Sequence, residues 1–302
     1  MGSAAGPLGV FVGLATLDVA QYVPHPPGPD EKVTAQASVL SAGGPATNAA
    51  VTYRALGGNA RLVTALARDG AGDLVRADLR RGGVALVEVA NTRTTPVSAI
   101  TVATVAGTRS VVGSDARGED VPPPDSAWIT RVLDGAAVLL LDGHHRATAV
   151  AFARRAWEMG IPVVVDVGRW KPVFAELAPL ATHLVCSAGA RVPGTQDQAF
   201  GADATARELL TGGARSVSMT AGAGNVRLWL AEDMPDAAAH LISVPPVEAV
   251  DTLGAGDAFH GAFAHAIARG QSARGAIEEG IRVAGIRVAT RGPRAWLGDL
   301  SL

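Results

Sequence analysis

What most constrains this chain is a rhythm. Short, nearly continuous apolar runs recur along it, most of them followed by an alanine-rich stretch of helical length. The runs cover residues 9–15, 61–65, 137–141, 162–166, 183–186 and 216–220, and the helical stretches 45–56, 73–81, 147–159 and 204–210. Strands covered on both faces lose the polar half of their alternation, and parallel strands need helical crossovers. The expected fold is therefore α/β, a doubly wound, mostly parallel sheet with helices on both faces and right-handed crossovers. With 302 residues and only 4% aromatic content, the core must come from Ala, Val and Leu rather than rings. That length suits one large core with a small appended unit.

Two segments break the rhythm. Residues 18–40 hold Pro24, Pro26, Pro27 and Pro29, then alternate through Val33, Ala35, Ala37 and Val39. Residues 94–112 read as two β segments around Ala106-Gly107. Together they predict a small β lid of residues 18–40 and 93–112. The main domain then comprises 1–17, 41–92 and 113–302, with Pro122-Pro123-Pro124 marking the return to it. Toward the end, Ala258/Ala262/Ala266 and Phe259/Phe263/Ile267 trace one face of a helix over 254–269. Gly270 closes that helix, and Ser272 is placed to cap another running to about residue 289.

Several function classes are excluded. A formal charge of −2 gives no basic footprint for nucleic acid. Of 26 basic residues only Lys32 and Lys171 are lysines, and neither sits in the Gly-Lys-Ser/Thr context of a Walker phosphate loop. The single cysteine, Cys186, forms no disulfide within the chain and no thiolate cluster, and reads as a small buried hydrophobe. The apolar residues from Leu8 to Leu17 have no basic residue before them, so they read as a buried strand rather than a secretory signal. No apolar run has the length of a membrane span. A cytoplasmic protein is expected.

Bare glycine pairs carry little weight in a chain with 36 glycines. One has context: Asp251-Thr252-Leu253-Gly254-Ala255-Gly256-Asp257 leads straight into the amphipathic helix at 254–269. Amides in the first turn of a helix lack intrahelical partners and, with the dipole, favour an anion. Asp257 in that turn could take the proton of a hydroxyl attacking a phosphoryl group held by those amides. The plain alternative is a helix start with glycines for packing and an acid for the dipole.

The seven-residue string resembles the C-terminal signature of the ribokinase-like carbohydrate kinases, the phosphofructokinase-B superfamily. Gly43-Gly44-Pro45-Ala46-Thr47-Asn48-Ala49-Ala50, followed by Leu56-Gly57-Gly58, resembles the N-terminal signature of the same family. The resemblance implies the doubly wound fold with a β lid, and transfer of the γ-phosphoryl group of ATP, with Mg²⁺, to a primary hydroxyl of a small sugar. Asp257 would be the base, and Gly254, Ala255 and Gly256 the anion hole. Asp18, at the end of the 13–18 segment of the first strand, with Gly43, Gly44 and Asn48, would hold the sugar. Taken alone, Asp18 reads equally as a turn cap and Asn48 as a polar helix residue.

On the nucleotide side the resemblance points to Asp251, Thr252, Thr220, Gly222, Gly224, Ala284, Val288 and Arg109. The Thr220–Gly224 stretch also reads as a β-turn, the 284–288 stretch as helix core, and Arg109 as an exposed β-edge residue. Where many family members carry Asn-x-x-Glu, this chain has Ser187-Ala188-Gly189-Ala190, so no metal ligand is assigned. The opening segment is most similar to the ketohexokinase branch, in which Asp30 would reach a partner subunit's sugar across a homodimer formed by the lids. Its alternative is a solvated turn. His144-His145 could border the sugar, and His260 and His265 read as solvated or structural. The remaining alternatives are a nucleoside or modified-sugar kinase, and a silent sugar- or nucleotide-binding protein.

Overall fold

The computed structural model describes residues 6–90, 92–114, 121–195, 201–234 and 238–301. In chain order its strands are β1 (Leu8–Val12), β2 (Thr16–Val23), β3 (Ala37–Gly43), β4 (Asn59–Thr64), β5 (Ala85–Glu88), β6 (Val97–Ala103), β7 (Thr108–Gly113), β8 (Ala136–Leu141), β9 (Val163–Val167), β10 (His183–Ser187), β11 (Ser216–Ala221), β12 (Gly224–Leu230) and β13 (His240–Ile242). The α-helices are α1 (Pro45–Ala55), α2 (Gly70–Arg81), α3 (Ser126–Leu133), α4 (Arg146–Glu158), α5 (Val173–Leu177), α6 (Gly201–Thr211), α7 (Ala255–Ala268) and α8 (Ala273–Ala289).

Nine strands make the main sheet, in the order β13-β12-β11-β10-β9-β8-β1-β4-β5. Every pairing from β5 to β11 is parallel, and β12 and β13 add antiparallel strands at one edge. Side chains alternate between two cores. Val10, Leu139, Leu141, Val163 and Val165 pack with α3, α4, α5 and α6 on one face. Phe11, Leu62, Leu140, Val164 and Val185 pack with α1, α2, α7 and α8 on the other. Chain order reverses between β1 and β8, and the carboxyl ends of strands beside such a reversal form a natural ligand crevice.

The predicted helices form close to their expected limits, and side-chain caps fix three helix starts. Asp69 caps α2 through the Gly72 amide, Asp125 caps α3 through the Trp128 amide, and Ser272 caps α8 through the Gly275 amide. The sequence rhythm missed the short elements α3, α5, β5 and β13, which are too brief to show a period.

The remaining four strands form a second sheet, β3-β2-β6-β7, which extends past the expected 18–40 and 93–112 limits at the start of β2 and the ends of β3 and β7. Two expectations change here. The first strand stops at Val12, and Asp18 lies within β2 instead of ending β1. The alternation through Val33 and Ala35 is not strand, since β3 begins at Ala37. Period-2 patterning cannot distinguish a paired strand from an extended connection.

The inner face of this sheet, Ala20, Tyr22, Ile100 and Val102, packs on Leu253. A buried network locks that contact. The Tyr22 hydroxyl donates to Asp251 Oδ2 at 2.9 Å, the amides of Leu253 and Gly292 donate to the same carboxylate at 3.0 Å, and Arg287 pairs with it at 3.2 Å. Removing one partner of such a buried pair leaves the other charge uncompensated. Asp251→Ala is expected to lower the unfolding free energy by about 3–5 kcal/mol in urea titrations; a loss under about 1 kcal/mol would contradict the network's role.

Candidate active site

The crevice is built outward from Asp142, just past the end of β8. Its carboxylate accepts from the amides of Leu14 (2.9 Å), Ala46 (3.1 Å) and His144 (2.9 Å), and from the His144 ring at 3.0 Å. Burial opposes its charge, yet the His144 ring and amide and the neighbouring Lys171 hold its carboxyl well below the usual carboxylate range. One side chain thereby joins the end of β1, the start of α1 and the loop after β8.

The glycine pair stands beside that floor for steric reasons. A Cβ on Gly43 would fall 2.1 Å from the Asp18 carboxyl carbon, and Gly44 has φ +99° with the Leu14 carbonyl oxygen 2.2 Å from where its Cβ would stand. The pair lets Asp18 lie flat against the backbone and lets α1 begin abruptly at Pro45. Thr16 donates to Asp18 Oδ1 at 2.7 Å, and burial raises the Asp18 carboxyl above its ordinary value.

Asp257 comes to the same place from the far end of the chain. Gly254, at φ +71°, turns the backbone into α7, so Asp257 sits in its first turn. Asn48 on α1 donates to Asp257 Oδ2 at 2.8 Å, and Arg294 donates to Asn48 Oδ1 at 3.1 Å, fixing the amide's orientation. Burial raises the Asp257 carboxyl above its ordinary value, against the Asn48 hydrogen bond and the nearby His260. Nothing lies within 4 Å of where a Gly256 side chain would begin, so the mouth of the amide nest is open. Asp18, Gly43, Gly44, Asn48, Gly254, Ala255, Gly256 and Asp257 thus converge, although about 200 residues separate the two signatures.

The other expected residues fare differently. Asp251 is saturated by the buried network above, so its side chain secures the 251–254 turn instead of offering itself to a nucleotide; this corrects the sequence reading. Arg109 is not merely an edge residue, since it reaches from β7 to donate to the Thr252 hydroxyl at 2.5 Å. Thr220, Gly222 and Gly224 form a tight hairpin between β11 and β12, with Gly222 at φ +60°. Ala284 and Val288 are half-buried on α8, and the Val288 carbonyl accepts from the amides of Val250 and Asp251. Asp30 is exposed at φ +58° in the loop between β2 and β3. His260 and His265 are buried rather than solvated.

Sequence reasoning missed five site residues: Asp142, His144 as a fixed group, Asp166, Lys171 and Arg294. Asp166 lies in β9 on the face covered by α7, 3.4 Å from His260. Burial pushes its carboxyl up to about 6, opposed by His260 and reinforced by the charges of Asp257 and Asp142. An acid inside a valine run was the available signal.

The Ser187-Ala188-Gly189-Ala190 stretch supplies no carboxylate, and the described residues contain no group of three His, Cys, Asp or Glu able to hold a metal. Among them, too, no helix is long and apolar enough to cross a membrane.

Comparison with known proteins identifies the family. The profile of the pfkB family carbohydrate kinases matches residues 8–297. The chain is 24% identical over 290 residues to the ribokinase of Bacillus subtilis, covering 95% of this chain and 94% of that protein. It is 26% identical over 298 residues to mouse (Mus musculus) ketohexokinase, covering 93% and 96%. The fold matches Arabidopsis thaliana ribokinase, solved with ribose and ATP, at a TM-score of 0.77 and 22% identity over 99% of this chain and 100% of that one. Thermotoga maritima ribokinase matches at 0.74 with 23% identity over 98% and 99%. This chain belongs to the pfkB family of carbohydrate kinases, phosphotransferases with an alcohol group as acceptor.

Proposed function

We propose that the protein transfers the γ-phosphoryl group of ATP to a primary hydroxyl of a small, ketohexose- or pentose-like sugar, with Asp257 as general base. The observation that carries this reading is the juxtaposition of the Asp257 carboxylate, held by Asn48, with the helix-start amides of 254–256. Asp18, Asn48 and the Gly43-Gly44 backbone would orient the sugar, because vicinal hydroxyls need acceptors and donors together. Magnesium arrives as part of the MgATP substrate. Thr252, the 220–224 hairpin and the 284–288 stretch of α8 would face the nucleotide, and Arg109 its phosphates.

In the step itself, Asp257 accepts the hydroxyl proton as the sugar oxygen bonds to the γ-phosphorus. The bridging P–O bond to the β-phosphate breaks, and ADP leaves with that electron pair. Charge accumulating on the transferred group meets amides already oriented toward it, with no lysine-bearing loop required. The absence of a carboxylate at residues 187–190 motivates one alternative, a silent sugar-binding protein. Calorimetric sugar binding without ADP release on ketohexoses, pentoses and nucleosides would support it.

The second sheet supports a homodimer. Its outer face carries an apolar row across all four strands, Leu40, Val19, Ala99 and Val112, set in register. Leu40 is 51% and Val112 75% exposed, on a sheet whose edge strands are β3 and β7. In a cytoplasmic dimer this face would meet its copy, and Asp30 would approach the partner's crevice.

Asp257→Asn is expected to fold normally but lose about 10²-fold or more in kcat, the scale of general base catalysis; wild-type-like turnover would remove the central role. Since the base works ionised and its carboxyl is raised, kcat/KM should fall as pH drops through a limb lying above the ordinary aspartate value of about 3.9. Leu40→Asp with Val112→Asp should sediment as a monomer where the parent sediments as a dimer.

A further inference from the structure

Asn48 and Asp257 meet at 2.8 Å, but their pairing alone does not decide which end of the amide faces the carboxylate. An amide carries an acceptor oxygen and a donor nitrogen of similar size, and an ionised carboxylate only accepts. Turned over, Asn48 would set Oδ1 against Asp257 Oδ2, two acceptors with no hydrogen between them. A group that can only donate, placed against Oδ1, excludes that state. Arg294 is such a group, and it lies outside both signatures.

Each terminal nitrogen of Arg294 is committed twice. Nη1 donates to Asn48 Oδ1 at 3.1 Å and to the Pro293 carbonyl at 3.2 Å. Nη2 donates to the Ala42 carbonyl at 2.6 Å and to Asp78 Oδ2 at 3.4 Å. Asp78 also accepts from the Ala42 amide at 2.9 Å, so the guanidinium is fixed against β3 and α2 as well as α1. No terminal hydrogen is left over for a sugar, and the influence of Arg294 on the crevice passes through Asn48.

The turn that presents Arg294 is held as firmly. Gly292, at φ +95°, bends the chain after α8 and gives its amide to Asp251 Oδ2 at 3.0 Å. Trp296, 3% exposed among Ala258, Ala262 and Val283, donates from its ring to the Pro293 carbonyl at 3.1 Å. Residues 292–296 therefore grip the 251–254 turn through Asp251 and α1 through Asn48, joining the two signatures by a segment that belongs to neither. The same arrangement distinguishes the two oxygens of Asp257. Asn48 occupies Oδ2, and among the described residues no hydrogen bond reaches Oδ1.

Resting on the sugar-kinase reading, we propose that Arg294 is a positioning residue for phosphoryl transfer, which locks the Asn48 amide and so aims Asp257 Oδ1 at the acceptor hydroxyl. It neither touches the reacting atoms nor changes protonation. A misaimed base slows the chemical step and leaves ATP binding alone, so the contribution belongs to kcat.

The test compares wild type, Arg294→Gln, Asn48→Ala and the double variant, each well below its own melting temperature because the guanidinium also carries stability. The acceptor is the sugar that wild type phosphorylates from a panel of ketohexoses and pentoses. Arg294→Gln should lose about tenfold or more in kcat, with the KM for ATP within about threefold. In the Asn48→Ala background the same substitution should change kcat by less than about threefold, since residues acting as a unit are not additive. A merely structural arginine would cost the same factor in both backgrounds.

Independently of turnover, carbon-13 NMR titration of the Asp257 carboxyl reads the same lock. The Asn48 hydrogen bond favours the ionised carboxylate, against burial. Releasing it should move the Asp257 titration to higher pH in Arg294→Gln, with little further movement when Arg294→Gln is added to Asn48→Ala. Asp18, Asp142, Asp166, His260 and Arg109, whose charges bear on the same cluster, are present in every variant. Equal kcat losses in both backgrounds, a loss confined to KM, or an Asp257 titration unmoved by Arg294→Gln would each overturn the proposal. Should wild type phosphorylate none of these sugars, the sugar-kinase reading fails, while the titration still decides the lock.

Discussion

A buried carboxylate stripped of water is costly unless donors surround it, and the crevice of this protein is organised around one that is surrounded. Asp142 gathers the amides of Leu14, Ala46 and His144 together with the His144 ring. Those donors belong to three separate segments, so satisfying one charge fixes the relative placement of β1, α1 and the loop after β8. The geometry of Gly44, Asn48 and His144 follows from that placement. Because Asn48 reaches Asp257, the orientation of the Asp257 carboxylate also depends on it.

The second constraint is electrostatic. Asp18, Asp142, Asp166 and Asp257 share one edge of the sheet, and mutual repulsion together with burial raises three of them. Such a cluster persists only with compensating cations, and Arg294 beside Asp18 and Lys171 beside Asp142 supply them. A carboxyl raised in this way is a stronger base than a solvated one, which suits proton abstraction from an alcohol. In the proposed reaction the phosphates would meet a helix start rather than a lysine loop. The second sheet then clasps the 251–253 turn through Tyr22 and Arg109, so the anion nest and the sheet that covers it are mechanically one piece.

Much of this was legible in the sequence. The runs at 137–141, 162–166 and 183–186 read as buried parallel strands because both faces are apolar, and the Ser272 cap announced α8. The glycines at 43–44 and 254–256 were identified by their neighbours, not by their number. Asp142 and Asp166 were harder, since an acid at the end of an apolar run looks like the start of a loop. Leu14 and Ala46 lie 128 and 96 residues from Asp142 in sequence, and the partner of Asp166 is on α7. Arg294 reaches Asn48 across 246 residues, which no local pattern can encode. Asp251 misled for a related reason: membership in a signature says that a position matters, not whether its side chain faces ligand or core.

The account's central claim is that a primary hydroxyl, deprotonated at Asp257, receives the γ-phosphoryl group. Proton-coupled phosphorus NMR of the reaction products tests it most directly. The account predicts one phosphomonoester per ADP formed, its signal split into a triplet by an adjacent methylene group. Release of inorganic phosphate alone, or a doublet from a secondary ester, would contradict it.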